Sequence, residues 1–328
     1  MNQQFKVLRK LEAIERALKH LSPVESNCTL CPRQCRVNRT QSQTGICQTG
    51  GQARVSCGLL HYGEEPALSG RGGPVRARGS GTIFFSGCNL KCLFCQNYQL
   101  SWLNEGELVT DEELARMMLD LQDKGALNIN FVSPTHVILP ILRALRIACQ
   151  EGLTIPLVYN SNGYDSLEVI EHLRGIIDIY LPDLKYVSAE LSKKYSSAPD
   201  YFEYAHLAIQ EMYCQQPDLI LDGNQVARAG LIIRHLVLPG CSDDSIEVLE
   251  WIGRNLSKSV GLSLMSQYHP CFRAPAEIQR EITSEEYRKV MSRALALGLE
   301  DLFLQPEPFL TDEHLVPDFR RKNPFPWK

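Results

Sequence analysis

From residue 82 onward, short apolar runs alternate with amphipathic stretches. The runs are TIFFS (82–86), NINFV (128–132), IPLVY (155–159), IIDIYL (176–181), LIIRHLVL (231–238) and GLSLM (261–265), with DLFLQ (301–305) as a candidate seventh. Each has the length and residue types of a buried strand. Between them, segments such as DEELARMMLDLQDK (111–124) and ILPILRALRIACQ (138–150) repeat apolar residues at helical spacing. Strand–helix units repeated in this way predict an α/β protein with a parallel sheet. About six units over roughly 220 residues suit a partial (β/α)6 barrel better than the full eightfold one. A doubly wound sheet is the structural alternative.

Upstream the pattern changes. Leu8, Leu11, Ile14, Leu18 and Leu21 recur at helical spacing, so residues 1–25 read as one amphipathic helix. Residues 26–80 show little periodicity and are rich in Cys, Gly, Pro and Arg. A segment of that kind buries little core, so its fold is expected to depend on a metal. The stretch GRGGPVRARGSG (70–81) reads as a flexible connection in preference to a phosphate-binding loop, and RRKNPFPWK at the end as a surface tail. The expected organisation is a helix plus Cys-rich metal-binding appendage over 1–80, a core over 81–305 and a tail over 306–328.

Composition narrows the function classes. Hydrophobic residues make up 44% and charged residues 22% of the 328, an ordinary globular balance. A net charge of −4 gives no basis for a nucleic acid as main partner. The N-terminus lacks a signal-type apolar core, and no run is long and apolar enough for a membrane span, so a cytoplasmic location is expected. In a reducing compartment, closely spaced cysteines are metal ligands or catalytic thiols more often than disulfides. Seven of the twelve cysteines fall in two tight groups. The other five, Cys57, Cys149, Cys214, Cys241 and Cys271, read as buried structural thiols.

The first predicted strand runs into Cys88-x3-Cys92-x2-Cys95, after Gly87 for the turn. Iron–sulfur clusters are normally held by four thiolates. Three would leave one iron open to an outside ligand, much as catalytic zinc keeps a free position. By spacing alone a zinc knuckle completed by a remote residue is as good a reading. The position just past a strand end favours a catalytic centre. The surrounding FFSGCNLKCLFCQN resembles the signature of the radical S-adenosylmethionine (SAM) superfamily. Within it, the text is similar to the activating enzymes of glycyl-radical enzymes, such as that of pyruvate formate-lyase, and to a set of uncharacterised relatives. The likeness spans roughly residues 80–305. It implies a [4Fe–4S] cluster on Cys88, Cys92 and Cys95 whose open iron binds the amino and carboxylate groups of SAM. It further implies an electron donor such as a flavodoxin or ferredoxin, and a 5′-deoxyadenosyl radical that abstracts a hydrogen atom from substrate. A glycyl-radical enzyme is then one expected protein partner.

Other strand ends supply candidate SAM contacts. Asn160 and Ser161 lie in Tyr-Asn-Ser-Asn-Gly (159–163), which otherwise reads as an Asn-Gly turn; it resembles the Asp-Thr-Asn-Gly stretch near SAM in the activating enzymes, with Asn160 in place of their carboxylate. Asp183 and Lys185 share a face of an extended segment, to pair with each other or with the zwitterionic methionine moiety. The resemblance assigns Lys185 a contact with the cofactor, and His269 in Gln-Tyr-His-Pro a place near it. After the second run, Ser133, Thr135 and His136 stand where many members carry Gly-Gly-Glu-Pro, and the usual carboxylate is missing. Arg234 and His235 point to opposite faces, and each needs a partner.

The second group, Cys28-x2-Cys31-x3-Cys35-x11-Cys47, offers four thiolates for Zn²⁺ or for a second Fe–S cluster. Arg33, Arg36 and Arg39 would offset their charge. Three functions stand open: activation of a protein through a backbone glycine, radical modification of a small molecule or RNA, and a non-enzymatic, zinc-stapled binding protein.

Overall fold

The computed structural model describes residues 3–70, 78–304 and 312–325. The N-terminal helix, Gln3–Leu21, buries Ala13, Ile14, Ala17, Leu18 and Leu21 and leaves Leu8 exposed. It lies against the helices Ile138–Gln150 and Leu167–His172, on the outside of the sheet.

Among the described residues ten strands follow in chain order: β1 (Ala53–His61), β2 (Ser80–Phe85), β3 (Glu107–Val109), β4 (Ile129–Val132), β5 (Leu157–Asn160), β6 (Ile179–Tyr180), β7 (Ile220–Leu221), β8 (Ala227–Leu236), β9 (Gly261–Met265) and β10 (Leu302–Leu304). Every predicted run becomes a strand, the candidate seventh included. The order across the sheet is β10-β9-β8-β6-β5-β4-β2-β1-β3, with β7 added to β8. Each strand from β2 to β10 on that path pairs in parallel with its neighbour. From β2 to β10 the order follows the chain without reversal, so the described strands have no switch point of a doubly wound sheet. This is an α/β sheet of the partial-barrel kind. The helices between the strands are started by ordinary signals, with capping boxes of Thr110 with Glu113 and Thr283 with Glu286. Among the described residues, no helix is long and apolar enough to cross a membrane.

Two expectations change. The Cys-rich segment contributes β1, which runs antiparallel along all of β2, from His61 opposite Ser80 to Val55 opposite Phe85, and pairs with β3 through Ala53–Val55. Its burial pattern shows no strict alternation, so periodicity did not reveal it; the pairing covers what would otherwise be the open edge of β2. The chain leaves β1 beside the first residue of β2 and forms the short helix Pro66–Ser69. Ala67 and Leu68 of that helix pack with Val158, Ile179, Leu181, Ala227 and Ile232. A piece of the N-terminal segment thus plugs the sheet interior where the parallel strands begin. The C-terminus is not a free surface tail either. Phe319 and Phe325 are buried, with ring centroids 5.3 and 5.4 Å from that of Phe84. The basic residues of RRKNPFPWK mask these apolar anchors in a composition-based reading. Most of the connection expected at 70–81 lies outside the described residues. Among the scattered cysteines Cys149 is buried, while Cys214 is exposed.

Candidate functional site

Past β2 the backbone turns at Gly87, φ +85°, where a Cβ would stand 2.3 Å from the Cys47 carbonyl oxygen; only glycine fits. The turn delivers Cys88, buried, and Cys92 and Cys95, half-buried. Each thiol meets a polar partner of its own. Asn162 Nδ2 lies 3.3 Å from Cys88 Sγ, Ser196 Oγ 3.0 Å from Cys92 Sγ, and Ser101 Oγ 3.1 Å from Cys95 Sγ. Burial pushes the Cys88 thiol up and that of Cys95 to about 12. Thiols in such a place become thiolates when a metal supplies the compensating charge.

The three cysteines line a cavity of about 290 Å³ at the strand ends. Asn160, Ser161, Asp183, Lys185 and His269 line the same cavity. Lys185 Nζ pairs with Asp183 Oδ2 at 2.5 Å. Burial opposes the Lys185 charge, and Asp183 overrides it and raises the ammonium above its ordinary value. Ser161 Oγ donates to Asp165 at 2.6 Å, and His269 Nδ1 faces Glu281 at 3.4 Å. The structure thus brings together the cofactor candidates from β5, β6 and β9 with the cysteine loop.

It separates others. Thr135 is buried and donates to Asp165, and His136 is buried with Nε2 2.8 Å from the Ser86 carbonyl oxygen. Burial pushes His136 and His235 down to about 4, so both are neutral structural groups near neutral pH. His235 turns outward to the Leu184 carbonyl oxygen, while Arg234 faces the cavity.

Arg234 leads to residues the sequence did not flag. Its Nε and Nη2 grip Glu65 at 2.8 and 2.6 Å, Nη2 also pairs with Glu64, and Nη1 reaches Asn160 Oδ1 at 3.4 Å. Burial alone would raise the Glu64 carboxyl, but Arg234, with His61, holds it at about 2. Glu64 lines the deep end of the cavity. The carboxylate that the resemblance would place after β4 is absent, and Glu64 lines the cavity along with Asp183. The unmatched need of Arg234 for a partner was the one available signal.

The second cysteine group packs on the flank of this loop. Cys28, Cys31 and Cys47 are buried and Cys35 half-buried. Arg39, 4% exposed, donates through Nε to Cys28 Sγ at 3.0 Å and through Nη2 to Cys47 Sγ at 3.3 Å. Arg33 Nε donates to the Asn89 carbonyl oxygen at 2.8 Å. Among the described residues no three Cys, His, Asp or Glu side chains are grouped around one metal ion as they stand. An iron–sulfur cluster makes no such demand on Cys88, Cys92 and Cys95, because each thiolate binds a different iron. The donor set therefore fits a cluster.

A family model described as the radical SAM superfamily matches residues 82–252. The chain belongs to the radical SAM superfamily. An uncharacterised protein of Methanocaldococcus jannaschii is 32% identical over 289 residues, 84% of this chain and 77% of that one. Among solved structures, Streptococcus suis SuiB matches with a TM-score of 0.46 and 16% identity, over 70% of this chain and 48% of SuiB. Methylornithine synthase (PylB) matches with a TM-score of 0.43 and 17% identity, over 66% of this chain and 60% of that one. The chain thus spans about half the length of SuiB. Membership of the radical SAM superfamily makes the protein an enzyme of SAM-dependent radical chemistry, and the family match begins inside β2, downstream of the second cysteine group.

Proposed function

We propose that the chain cleaves SAM reductively at a [4Fe–4S] cluster held by Cys88, Cys92 and Cys95. The observation that carries this reading is the shared cavity: three separately hydrogen-bonded thiols face Asp183, Lys185, Asn160, Ser161 and His269 across one space. When bound, the cluster and SAM supply a one-electron cleavage that gives methionine and a 5′-deoxyadenosyl radical. The chain's own residues do the rest. Lys185 offers its ammonium to the methionine carboxylate, and Asp183 its carboxylate to the amine. Asn162, Ser101 and Ser196 stabilise thiolate charge by donating to sulfur. Leu90 and Phe94 line the cavity and exclude water from a reactive species. The Glu64–Arg234–Glu65 cluster sets a polar floor.

The substrate reading we favour is hydrogen abstraction from a backbone glycine of a protein partner. It is supported by the likeness of FFSGCNLKCLFCQN to the activating enzymes. A flavodoxin or ferredoxin would supply the electron, in the reducing cytoplasm that twelve unpaired cysteines suit.

Anaerobically purified protein should contain iron and sulfide and release 5′-deoxyadenosine from SAM after reduction. Adding the partner should then produce a protein-based glycyl radical in the electron paramagnetic resonance spectrum. Zinc alone at Cys88, Cys92 and Cys95, with SAM left intact under reduction, overturns the proposal.

A further inference from the structure

We propose that Tyr186 tunes the reduction potential of the cluster through Ser196, which holds Cys92; the inference rests on the cluster proposed above for Cys88, Cys92 and Cys95.

Ser196 ends the helix Ala189–Ser196 and is fully buried. The last carbonyls of a helix have no partner within it. Here the cysteine loop supplies two. Leu93 N donates to the Tyr195 carbonyl oxygen at 2.8 Å, and Lys91 N to that of Ser196 at 3.2 Å. The helix end is therefore clamped to the loop on both sides of Cys92. From that fixed backbone Ser196 Oγ lies 3.0 Å from Cys92 Sγ and 2.9 Å from the Tyr186 hydroxyl.

Tyr186 is held as firmly. It is buried, and its ring stands edge-on to that of Tyr201, with centroids 5.6 Å apart. The Tyr201 hydroxyl in turn accepts from Lys185 N at 3.1 Å and bonds the carbonyl oxygens of Asn162 and Asp183. Lys185 lines the cavity, whereas Tyr186, the next residue, does not. Among the described residues Ser196 is the one hydrogen-bond partner of the Tyr186 hydroxyl.

The two distances alone leave the direction of donation open. A serine hydroxyl has one proton, so Ser196 donates either to sulfur or to Tyr186. A thiol could donate to Ser196, but a thiolate on iron can only accept. Ser196 must then give its proton to Cys92 and accept that of Tyr186. The phenol has one to give, because burial pushes it well above its ordinary value. Ligation thus orders the whole chain, from Tyr186 to Ser196 to Cys92.

Hydrogen bonds to the sulfurs help set the potential of an iron–sulfur cluster. They favour the form that carries the extra electron. A hydroxyl that itself receives a hydrogen bond donates more strongly. Tyr186 touches no ligand sulfur, so it is a positioning residue that acts through Ser196. Ser101, which meets Cys95, has no such second step among the described residues.

The test is the midpoint potential of the holoenzyme without SAM, titrated with dithionite and mediators and followed by electron paramagnetic resonance. Tyr186→Phe keeps the ring against Tyr201 and removes the hydroxyl alone. Ser196→Ala should make reduction about tenfold less favourable, about 59 mV for one electron. Tyr186→Phe should cost about two- to threefold. In the Ser196→Ala background, Tyr186→Phe should add nothing, since the hydroxyl it acted through is gone. An unchanged potential in Tyr186→Phe, or the same shift in both backgrounds, overturns the proposal. If Ser196→Ala loses its cluster, Tyr186→Phe alone decides. Absence of iron and sulfide from the wild type would overturn the cluster reading and this proposal with it; a cluster whose potential Tyr186→Phe leaves in place overturns this proposal alone.

Discussion

Cys88, Cys92 and Cys95 each meet a neutral polar group, and the open side of their loop faces a cavity. Cys28 and Cys47 meet a buried cation and are covered by protein. Both groups contain a Cys-x2-Cys pair, so local spacing does not separate them. Their places relative to the strands do. The loop after β2 sits at the mouth of the barrel, where chemistry has room. The earlier loop precedes any strand and packs sideways onto that mouth. The first loop keeps one side open to the cavity, whereas Cys28, Cys31 and Cys47 of the second group are buried. The two buried arginines repeat the contrast. Arg234 is balanced by two carboxylates, and Arg39 by sulfur.

The sharpest way to break the comparison is to exchange the losses. Cys92→Ala should take SAM cleavage to background, read as 5′-deoxyadenosine, with little change in thermal unfolding. Cys28→Ala should lower the unfolding temperature first and cleavage only as a consequence. Equal effects of the two on both readouts would sink the distinction.

Arg234→Met tests the arginine with visible counter-charges. It strands Glu64 and Glu65 in the interior, a loss of about 3–5 kcal/mol, measured by urea unfolding. The pH dependence should change sign. In the wild type Glu64 is held at about 2, below the ordinary carboxyl value of about 4.3. That stabilisation is present above the unfolded value and is lost only as pH falls toward 2. Without Arg234, burial raises Glu64 instead. The variant should then gain stability as pH falls from about 8 to 5, where the wild type stays flat.

Arg39→Met should cost less, about 1–3 kcal/mol for the buried partners left unsatisfied, measured by urea unfolding. Unchanged unfolding would separate Arg39 from the thiols. Smallest of all, Ser101→Ala removes one donor to Cys95, about 1 kcal/mol. Cleavage should slow severalfold while the ultraviolet–visible spectrum of the cluster persists.

Much of the barrel was legible because its strands are buried on both faces and read as continuous apolar runs. IIDIYL and LIIRHLVL announce β6 and β8 without reference to anything distant. The cysteine loop was legible because its ligands lie within eight residues of one another. β1 was not, since ARVSCGLLH is half-buried along most of its length and becomes a strand by pairing with β2. Glu64 and Glu65 were not, because two carboxylates in a polar stretch look like solvated surface until Arg234, 170 and 169 positions away, is brought against them. Phe319 and Phe325 were hidden among basic residues.

The sequence by itself determined the α/β class, the succession of strands and the place of the three cysteines at a strand end. These depend on periodicity and on ligands near one another along the chain, both local properties. Only the tertiary structure decided which side chains share the cavity, that the plug rather than the end of β4 carries its deep carboxylate, and that Arg39 lies between Cys28 and Cys47. Those facts concern buried charges, whose partners are chosen by desolvation and proximity in space, and such partners leave no spacing to read.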